Sequence, residues 1–271
     1  MTNVIYKGHK FNEQNFFDEN YKCANKGLVY SKFFDKWKKN NYIEYISEGK
    51  KKWIEHFTKL TDNEVKDENF LLDRYIKHRL LLSEKRNGRV IYVKTVTPFI
   101  TGVGLSHPIE VGFLWHYTLG VPFLPGSSLK GVIRDYIIDL MEDNEKKQIK
   151  RIFGSLSKEE NQKNLSKEVG SVIFLDMLPT KFPRLKGEII TPHYSQYYLE
   201  KEAPGDWMKP IPIPFLAVDV EQEFQIVLLP KRNYTEMDED LSFINSLLPG
   251  ILKIHGLGAK TALGYGRFKV I

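Results

Sequence analysis

Residues 255–270 of the chain are HGLGAKTALGYGRFKV, in which two Gly-x-Gly pairs stand five residues apart. Glycine allows positive φ angles and a close approach of the backbone to a ligand. Successive backbone N–H groups in such turns bind anions, and cations stand within and after the pairs. The stretch therefore predicts a phosphate-binding loop, and an ordinary turn before a final strand is the alternative. Its candidate RNA-binding residues are Gly256, Gly258, Lys260, Thr261, Gly264, Gly266 and Arg267.

A nucleotide-binding P-loop does not fit this stretch. A P-loop needs a glycine directly before its lysine and a strand before the loop. Here Ala259 precedes Lys260, and the apolar residues of segment 241–254 have helical spacing. Pro249-Gly250 predicts a break in that helix. The predicted order is helix, glycine loop and final strand.

A second motif, LPGSSLKG at residues 124–131, predicts the start of another helix. Ser127 or Ser128 is its expected N-cap. Lys130 and Arg134 share one face within the first two turns, where cations oppose the helix dipole and cost roughly 0.3 to 1 kcal/mol. Helix N-termini bind phosphate, so the candidate RNA-binding residues here are Gly126, Ser127, Ser128, Lys130 and Arg134. Surface cations that only solubilise the protein are the alternative.

The composition favours a globular protein with a polyanionic partner. The chain has 271 residues, of which 42% are hydrophobic, and 40 basic residues outnumber 34 acidic ones. The single cysteine, Cys23, excludes an intramolecular disulfide and a cysteine-rich zinc site. No run of eighteen apolar residues and no signal-peptide core occurs, so we expect a soluble, cytoplasmic protein without membrane contacts.

From residue 88 onward, the predicted elements follow the order β-α-β-β-α-β with insertions. This is an α+β fold of the ferredoxin-like (RRM-like) plan, which RNA-recognition domains share. Pro210, Pro212 and Pro214 predict an inserted loop near 200–214. The predicted strands are 89–97, 170–177, 188–191, 215–220, 224–229 and 265–271, with 215–220 and 224–229 as the arms of a hairpin, and the helices begin near 127 and 241.

Residues 1–87 predict a helical, lysine- and aromatic-rich extension packed on a core domain of residues 88–271. Apolar residues recur at helical spacing over 33–60, and a second helix is expected over 70–82. Lysines such as Lys36 and Lys50 interleave with these aromatics, which is compatible with a nucleic-acid surface. A solvated helix face over an aromatic core is the simpler interpretation.

The ordered motifs resemble the RAMP superfamily of CRISPR-associated proteins, whose hallmark is a Gly-x-Gly-x5-Gly-x-Gly loop near the C-terminus. Within that superfamily they are most similar to the sixth-subunit family of type III-B (Cmr) effectors. The motifs that carry this resemblance are HPIE at 107–110, LGVP at 119–122, PGSSLKG at 125–131, TPHY at 191–194 and GAKTALGYGRF at 258–268. Residues 1–87 contain none of them.

The resemblance implies a non-catalytic, RNA-binding subunit of an antiviral RNA-guided effector complex. Such a subunit lies near the 3′ end of the guide RNA and contacts target RNA in the guide–target duplex, other Cmr RAMP subunits and the small helical subunit. Target cleavage and cyclic oligoadenylate synthesis belong to other subunits of that family of complexes. The resemblance implies no cofactor.

Two other functions stay open from the sequence. Some RAMP relatives cut the guide precursor without metal, with histidine as general acid or base, although no histidine here has a recognisable catalytic partner in the sequence. A scaffold that only docks on neighbouring proteins is the third possibility. No metal site is expected, because Asp176, Asp206 and Asp219 are scattered. The candidate histidines are His107, His116, His193 and His255.

Overall fold

The computed structural model describes residues 24–34, 37–39, 43–45, 47–140, 146–154, 169–192, 197, 201, 203, 205–207, 210–231 and 237–271. The helices are α1 (Lys26–Lys32), α2 (Ser47–Thr58), α3 (Lys66–Lys85), α4 (Gly126–Leu140), α5 (Lys146–Phe153) and α6 (Met237–Ile254). The strands are β1 (Trp37–Lys39), β2 (Ile43–Tyr45), β3 (Arg89–Thr95), β4 (Val172–Phe174), β5 (Leu178–Pro179), β6 (Leu185–Ile190), β7 (Ile213–Val218), β8 (Glu223–Pro230) and β9 (Phe268–Val270). This mixture of helices and antiparallel sheet is an α+β fold, as predicted.

The main sheet has the strand order β4-β8-β3-β9, and all its neighbouring strands are antiparallel. The central strand β3 pairs along most of its length with β8, with Val93 opposite Phe224, and along its other edge with β9, with Thr95 opposite Phe268. β5 extends the β4 edge by pairing with the start of β8. β9, the last strand of the chain, thus forms an edge of the main sheet beside β3.

One face of this sheet carries the main hydrophobic core. Phe224, Ile226 and Leu228 alternate along β8 and pack with apolar residues of α4 and α6. The helix predicted to start at the second motif is confirmed as α4, and its buried Leu129, Ile133 and Ile137, spaced four residues apart, line this core. α4 lies against β4, and α6 lies against β8 and β9.

The opposite face of the sheet is covered by α3. Gln225, Val227 and Leu229 point to that face and are buried. Leu178, which pairs with Gln225, packs with Leu72 and Ile76 of α3. RNA-recognition domains stack bases on this face of their sheet. Here that surface is occupied by the protein's own helix, so any RNA contact must lie elsewhere.

The sequence predicted a hairpin from the arms 215–220 and 224–229, and this prediction is wrong. β7 pairs instead with β6 in a second, two-stranded sheet, and α2 packs on that sheet. Thr95 bonds to the connection between β7 and β8, since its hydroxyl donates to the carbonyl of Asp219 at 2.8 Å and accepts from the N–H of Gln222 at 2.8 Å. The connection between the two strands is therefore held at the end of β3 rather than folded as a tight turn.

Two helix predictions also need correction. The apolar spacing over 33–60 is not one helix, because β1 and β2 form an antiparallel pair between α1 and α2, with Trp37 opposite Tyr45. α6 begins at Met237 and continues through Pro249 without the predicted break. Pro249 and Asn245 are both exposed, so water can satisfy the carbonyl that the proline leaves without a donor.

Several expected features lie outside the described residues. They are Cys23, Lys36, His193, Tyr194 and residues 200, 202, 204, 208 and 209 of the segment 200–214. Within the described part of the chain, no helix has the length and apolar composition needed to span a membrane.

A buried carboxylate joins α5, the start of β4 and α6. Asp240 is fully buried, and its Oδ1 accepts from Nε and Nη2 of Arg151 at 3.1 and 2.6 Å. Its Oδ2 accepts from the hydroxyl of Ser171 at 2.6 Å. Both carboxylate oxygens thus have donors, which offsets the desolvation of the charge.

We expect Asp240→Ala to lower the free energy of unfolding by about 2 to 3 kcal/mol, because it leaves Arg151 and Ser171 without their buried acceptor. Urea unfolding followed by circular dichroism measures this decrease. Glu239→Ala is the matched control, since Glu239 is exposed and its carboxylate is 3.9 Å from Arg151. A decrease for Glu239→Ala as large as that for Asp240→Ala would contradict the assignment.

Candidate nucleic-acid interface

Both glycine-containing motifs lie at the same end of the main sheet. β3 and β4 run in the same direction, because each pairs antiparallel with β8. α4 follows Leu124, which bridges to Met177 just beyond the end of β4. The glycine loop precedes β9, whose first residue lies opposite Thr95 at the end of β3. The topology therefore brings together two segments that are more than a hundred residues apart in the sequence.

The glycine loop has the left-handed backbone that its sequence predicted. The φ angles of Gly256, Gly258, Gly264 and Gly266 are +72°, +90°, +91° and +71°. Lys260 also has a positive φ of 58°, which is uncommon for a residue with a side chain. Five residues within a stretch of eleven thus have the left-handed backbone that favours glycine.

Two of these glycines are required by close contacts with the backbone. A Cβ at Gly266 would lie 1.9 Å from the carbonyl oxygen of Leu257, and one at Gly258 would lie 2.2 Å from that of Ile100. Backbone hydrogen bonds accompany these contacts, from Leu257 to Gly266 and from Ala259 to Ile100, each at 2.8 Å. The loop is therefore fixed on the segment that follows β3.

Arg267 is an internal brace of the loop. Its Nη1 donates to the carbonyl of His255 at 2.5 Å, and its Nη2 donates to that of Thr261 at 3.1 Å. Its own N–H donates to the Thr97 hydroxyl at 2.9 Å. The guanidinium thus links the start of the loop to its tip. A phosphate contact by Arg267 would have to use its remaining N–H groups.

The tip of the loop is a short 3₁₀ turn over Thr261–Leu263. Lys260 caps its start and Gly264 its end, both in the left-handed conformation. The tip is open to solvent, since nothing lies within 4 Å of a Cβ built at Gly264, and Leu263 is 69% exposed. Lys260 has no ion-pair partner among the described residues.

Tyr265 packs against the second sheet. Its ring lies edge-on to Phe215 of β7, with centroids 6.3 Å apart, and its hydroxyl is 3.4 Å from Oε2 of Glu188 on β6. Burial and the neighbouring carboxylate raise the pKa of the Tyr265 hydroxyl. Tyr265 therefore anchors the glycine loop to the two-stranded sheet.

The start of α4 differs from the prediction in its cap. The helix begins at Gly126, and the N–H of that residue donates to Oδ1 of Asp176 at 2.7 Å. The expected caps Ser127 and Ser128 lie within the first turn and are exposed. A carboxylate fifty residues further along the chain therefore occupies the helix N-terminus, which single-residue cap preferences could not indicate.

Lys130 and Arg134 form a pair of like charges on α4. Burial and the adjacent guanidinium lower the pKa of the Lys130 ammonium. The one carboxylate in ion-pair contact with either residue, within the described part of the chain, is Asp135, at 3.4 Å from Nη2 of Arg134. Two neighbouring positive charges with one carboxylate in ion-pair contact favour the binding of an anionic ligand.

α4 contacts the end of α6 and the first residue of the glycine stretch, His255, through a different flank from the one that carries these cations. The ring of Tyr136 lies edge-on to that of His255 at 5.0 Å, and a Cβ at Gly250 would lie 2.6 Å from the Tyr136 hydroxyl. Residues two apart on a helix point to different sides, so Arg134 faces away from Tyr136. The structure therefore places the cations of α4 and Lys260 at the same end of the main sheet but on separate elements.

The histidines that the sequence offered as catalytic candidates have structural contacts. His107 stacks on Tyr30 at 4.5 Å, and its Nε2 is 2.8 Å from the Tyr30 carbonyl. Nδ1 of His116 accepts from the N–H of Leu119 at 3.3 Å. Burial lowers the pKa of both imidazoles. His107, His116 and His255 make no hydrogen bond to a carboxylate within the described residues, where no cluster of potential metal ligands occurs either.

Comparisons with known proteins agree with these motifs. The family model of the RAMP superfamily matches residues 92–269. The CRISPR system Cmr subunit Cmr6 of Pyrococcus furiosus is 29% identical over 227 residues, which cover 64% of this chain and 65% of that protein. This chain thus spans less than two thirds of that relative's length. Cmr6 of Saccharolobus solfataricus is 25% identical over 277 residues, covering all of this chain and 88% of that protein.

A solved structure shares the fold. A chain of the cryo-EM structure of the type III-B Cmr-beta bound to cognate target RNA superposes with a TM-score of 0.60 at 23% identity. The match covers 82% of this chain and 71% of that chain. The similarity therefore includes residues outside the segment matched by the family model.

We expect Gly266→Ala to destabilise the protein by at least about 3 kcal/mol. The added Cβ would clash with the Leu257 carbonyl, and the alanine would also have to adopt a positive φ. Gly264→Ala is the matched control, because its φ is also positive but its surroundings are open, and we expect destabilisation by about 1 kcal/mol. Thermal unfolding of the two variants measures the difference. Equal destabilisation would show that the clash with Leu257 contributes nothing.

Proposed function

We propose that this chain, which belongs to the RAMP superfamily, is a non-catalytic RNA-binding subunit of a type III-B (Cmr) RNA-guided effector in antiviral defence. The observation that carries the proposal is the like-charge pair of Lys130 and Arg134 on α4, at the same end of the main sheet as the glycine loop that contains Lys260. These cations have little carboxylate compensation within the described residues. The similarity to proteins named Cmr6 supports the placement in such an effector.

The proposed binding mode is independent of sequence. Cations and backbone N–H groups contact phosphates, and they position the RNA without distinguishing its bases. Base pairing between guide and target then supplies the specificity. In this scheme the protein holds the 3′ region of the guide RNA and the guide–target duplex.

The proposed contacts divide by role. Lys130, Arg134 and Lys260 supply charge, and the exposed hydroxyls of Ser127 and Ser128 supply hydrogen bonds. The other proposed residues shape the backbone at the two motifs or brace it. They are Gly126, Gly256, Gly258, Thr261, Gly264, Gly266 and Arg267.

A non-catalytic role is supported by the contacts of the histidines. A general acid or base needs a free ring nitrogen and a partner that adjusts its pKa. His107 and His116, both partly buried, instead use ring nitrogens in hydrogen bonds to the backbone and pack against neighbouring aromatic rings. We propose that cleavage is performed by other subunits, and that this chain contacts other Cmr RAMP subunits and the small helical subunit in the cytoplasm.

We further infer that the main sheet with α4 and α6 is a ferredoxin-like unit. The element order β3-α4-β4-β8-α6-β9 and the sheet order β4-β8-β3-β9 support this assignment. Residues 88–271 would then form the RAMP domain, with β6, β7 and the proline-rich segment inserted between β4 and β8. Residues 1–87 would form the extension that supplies α2 and α3.

We expect Lys260→Ala and the double variant Lys130→Ala/Arg134→Ala to weaken binding to all RNA sequences alike. The slope of log affinity against log salt should fall by about 0.7 to 0.9 for each phosphate that the variant no longer neutralises. Gel retardation of labelled single-stranded RNA and of a guide–target duplex across a salt series measures both the affinity and this slope. Lys231→Ala, an exposed cation at the other end of the sheet, is the control.

Two results would contradict the proposal. Unchanged salt slopes for both variants would exclude these cations as phosphate ligands. Metal-independent cutting of the RNA that is abolished by His116→Ala or His255→Ala would identify an endoribonuclease instead. Intact RNA, with and without magnesium, is the expected result.

A further inference from the structure

The outer face of α3 is unusually apolar for a helix exposed to solvent. Five large side chains on this helix are each between 41% and 61% exposed: Phe70, Leu71, Tyr75, Leu81 and Leu82. A helix on the surface of a globular protein normally presents polar residues there. Together these side chains expose roughly 500 Å² of apolar surface, which is at the upper end for one patch on a monomer.

The inner face of the same helix is unusually polar. Glu68, Arg79 and Ser83 are buried there beside Leu72 and Ile76. Nε and Nη2 of Arg79 have no hydrogen-bond partner in the described part of the chain. The helix therefore buries polar residues against its own protein and exposes apolar ones. This distribution is expected of a helix that is buried on both sides in an assembly.

The spacing of the exposed residues fits a second helix. Leu71, Tyr75, His78 and Leu82 are separated by four, three and four residues, so they form a stripe nearly parallel to the axis of α3. α3 has 20 residues and is therefore about 30 Å long. Its apolar area is more than half of what one side of a standard protein interface buries.

The charges within the stripe indicate the chemistry of the partner. Arg74, His78 and Lys85 lie between the apolar side chains, and Arg74 is placed over the ring of Phe70 at 5.7 Å from its centroid. Lys77 at the edge is neutralised by Asp73 at 2.7 Å. Asp67 is the one acidic residue inside the stripe, at its first turn. Acidic side chains on the partner would match this arrangement.

We infer that the outer face of α3 docks an amphipathic α-helix of another protein subunit, with acidic residues beside its apolar stripe. This inference deepens the proposed function by assigning a subunit-contact surface, and it depends on the chain working within an assembly. α3 lies on the opposite face of the sheet from α4 and α6. A protein bound there would leave the proposed RNA-binding residues accessible.

A photo-crosslinking experiment tests this surface. Benzoylphenylalanine replaces Tyr75 in the full chain, the intact effector is purified from cells that contain all its subunits, and mass spectrometry identifies the crosslinked peptide. We expect a peptide from another subunit with aspartate or glutamate within one helical turn of the attachment point. The same probe at Ile254, which is 61% exposed at the end of α6, is the control and should not yield that peptide.

The double variant Leu71→Glu/Leu82→Glu sharpens the test. It should reduce the crosslink from position 75 at least tenfold, while the melting temperature and RNA affinity of the isolated chain stay unchanged, because both leucines are exposed. Crosslinks only to RNA, to a second copy or to this chain itself would overturn the inference, as would no crosslink. Failure of the lysine variants to change the salt slope would instead contradict RNA binding alone, so the two failures are distinguishable.

Discussion

The guanidinium of Arg267 is the group on which the proposed interface depends. By donating to carbonyls at the start and at the tip of the glycine loop, it holds together backbone segments that no regular strand or helix connects. Its main chain at the same time bonds to Thr97 and Val96 beyond β3. Lys260 lies between these two bonded segments and has a left-handed conformation. In the proposed scheme, the Arg267 side chain thus acts on RNA binding indirectly, through the shape of the loop.

The position of α3 divides the protein into surfaces with different chemistry. On one side of the sheet lie α4 and α6, and the motifs at their ends carry cations with little compensation. On the other side, α3 closes the sheet and turns aliphatic and aromatic side chains outward. In the proposed scheme, RNA and protein are therefore recognised by different layers of the same fold. The family resemblance alone gives no such division, because residues 1–87 contain none of its motifs.

The features that were predicted correctly from the sequence are those that depend on the spacing of apolar residues and on the conformational freedom of glycine. The apolar stripe of α4 and the positive φ angles of the glycine loop followed from the spacing of Leu129, Ile133 and the four glycines. Several misplaced features depend on side-chain contacts that leave no local pattern, and two of these contacts come from residues distant in the sequence. Asp176 caps α4, Thr95 bonds to the connection between β7 and β8, and Arg267 turns inward to its own loop. A cap or a brace supplied by a distant residue leaves no local pattern that could be recognised.

The pairing of β3 has a consequence for how the protein is made. Its neighbours in the sheet, β8 and β9, come more than 120 residues later in the chain, so the pairings that complete the core connect distant parts of the polypeptide. Folds dominated by such pairings fold slowly, because long loops must close, at a cost in entropy, before the stabilising interactions form. During synthesis, β3 and α3 emerge from the ribosome well before their partners. Until β9 has been translated, the edge of β3 stays open, and the newly made chain is at its most vulnerable to aggregation in that interval.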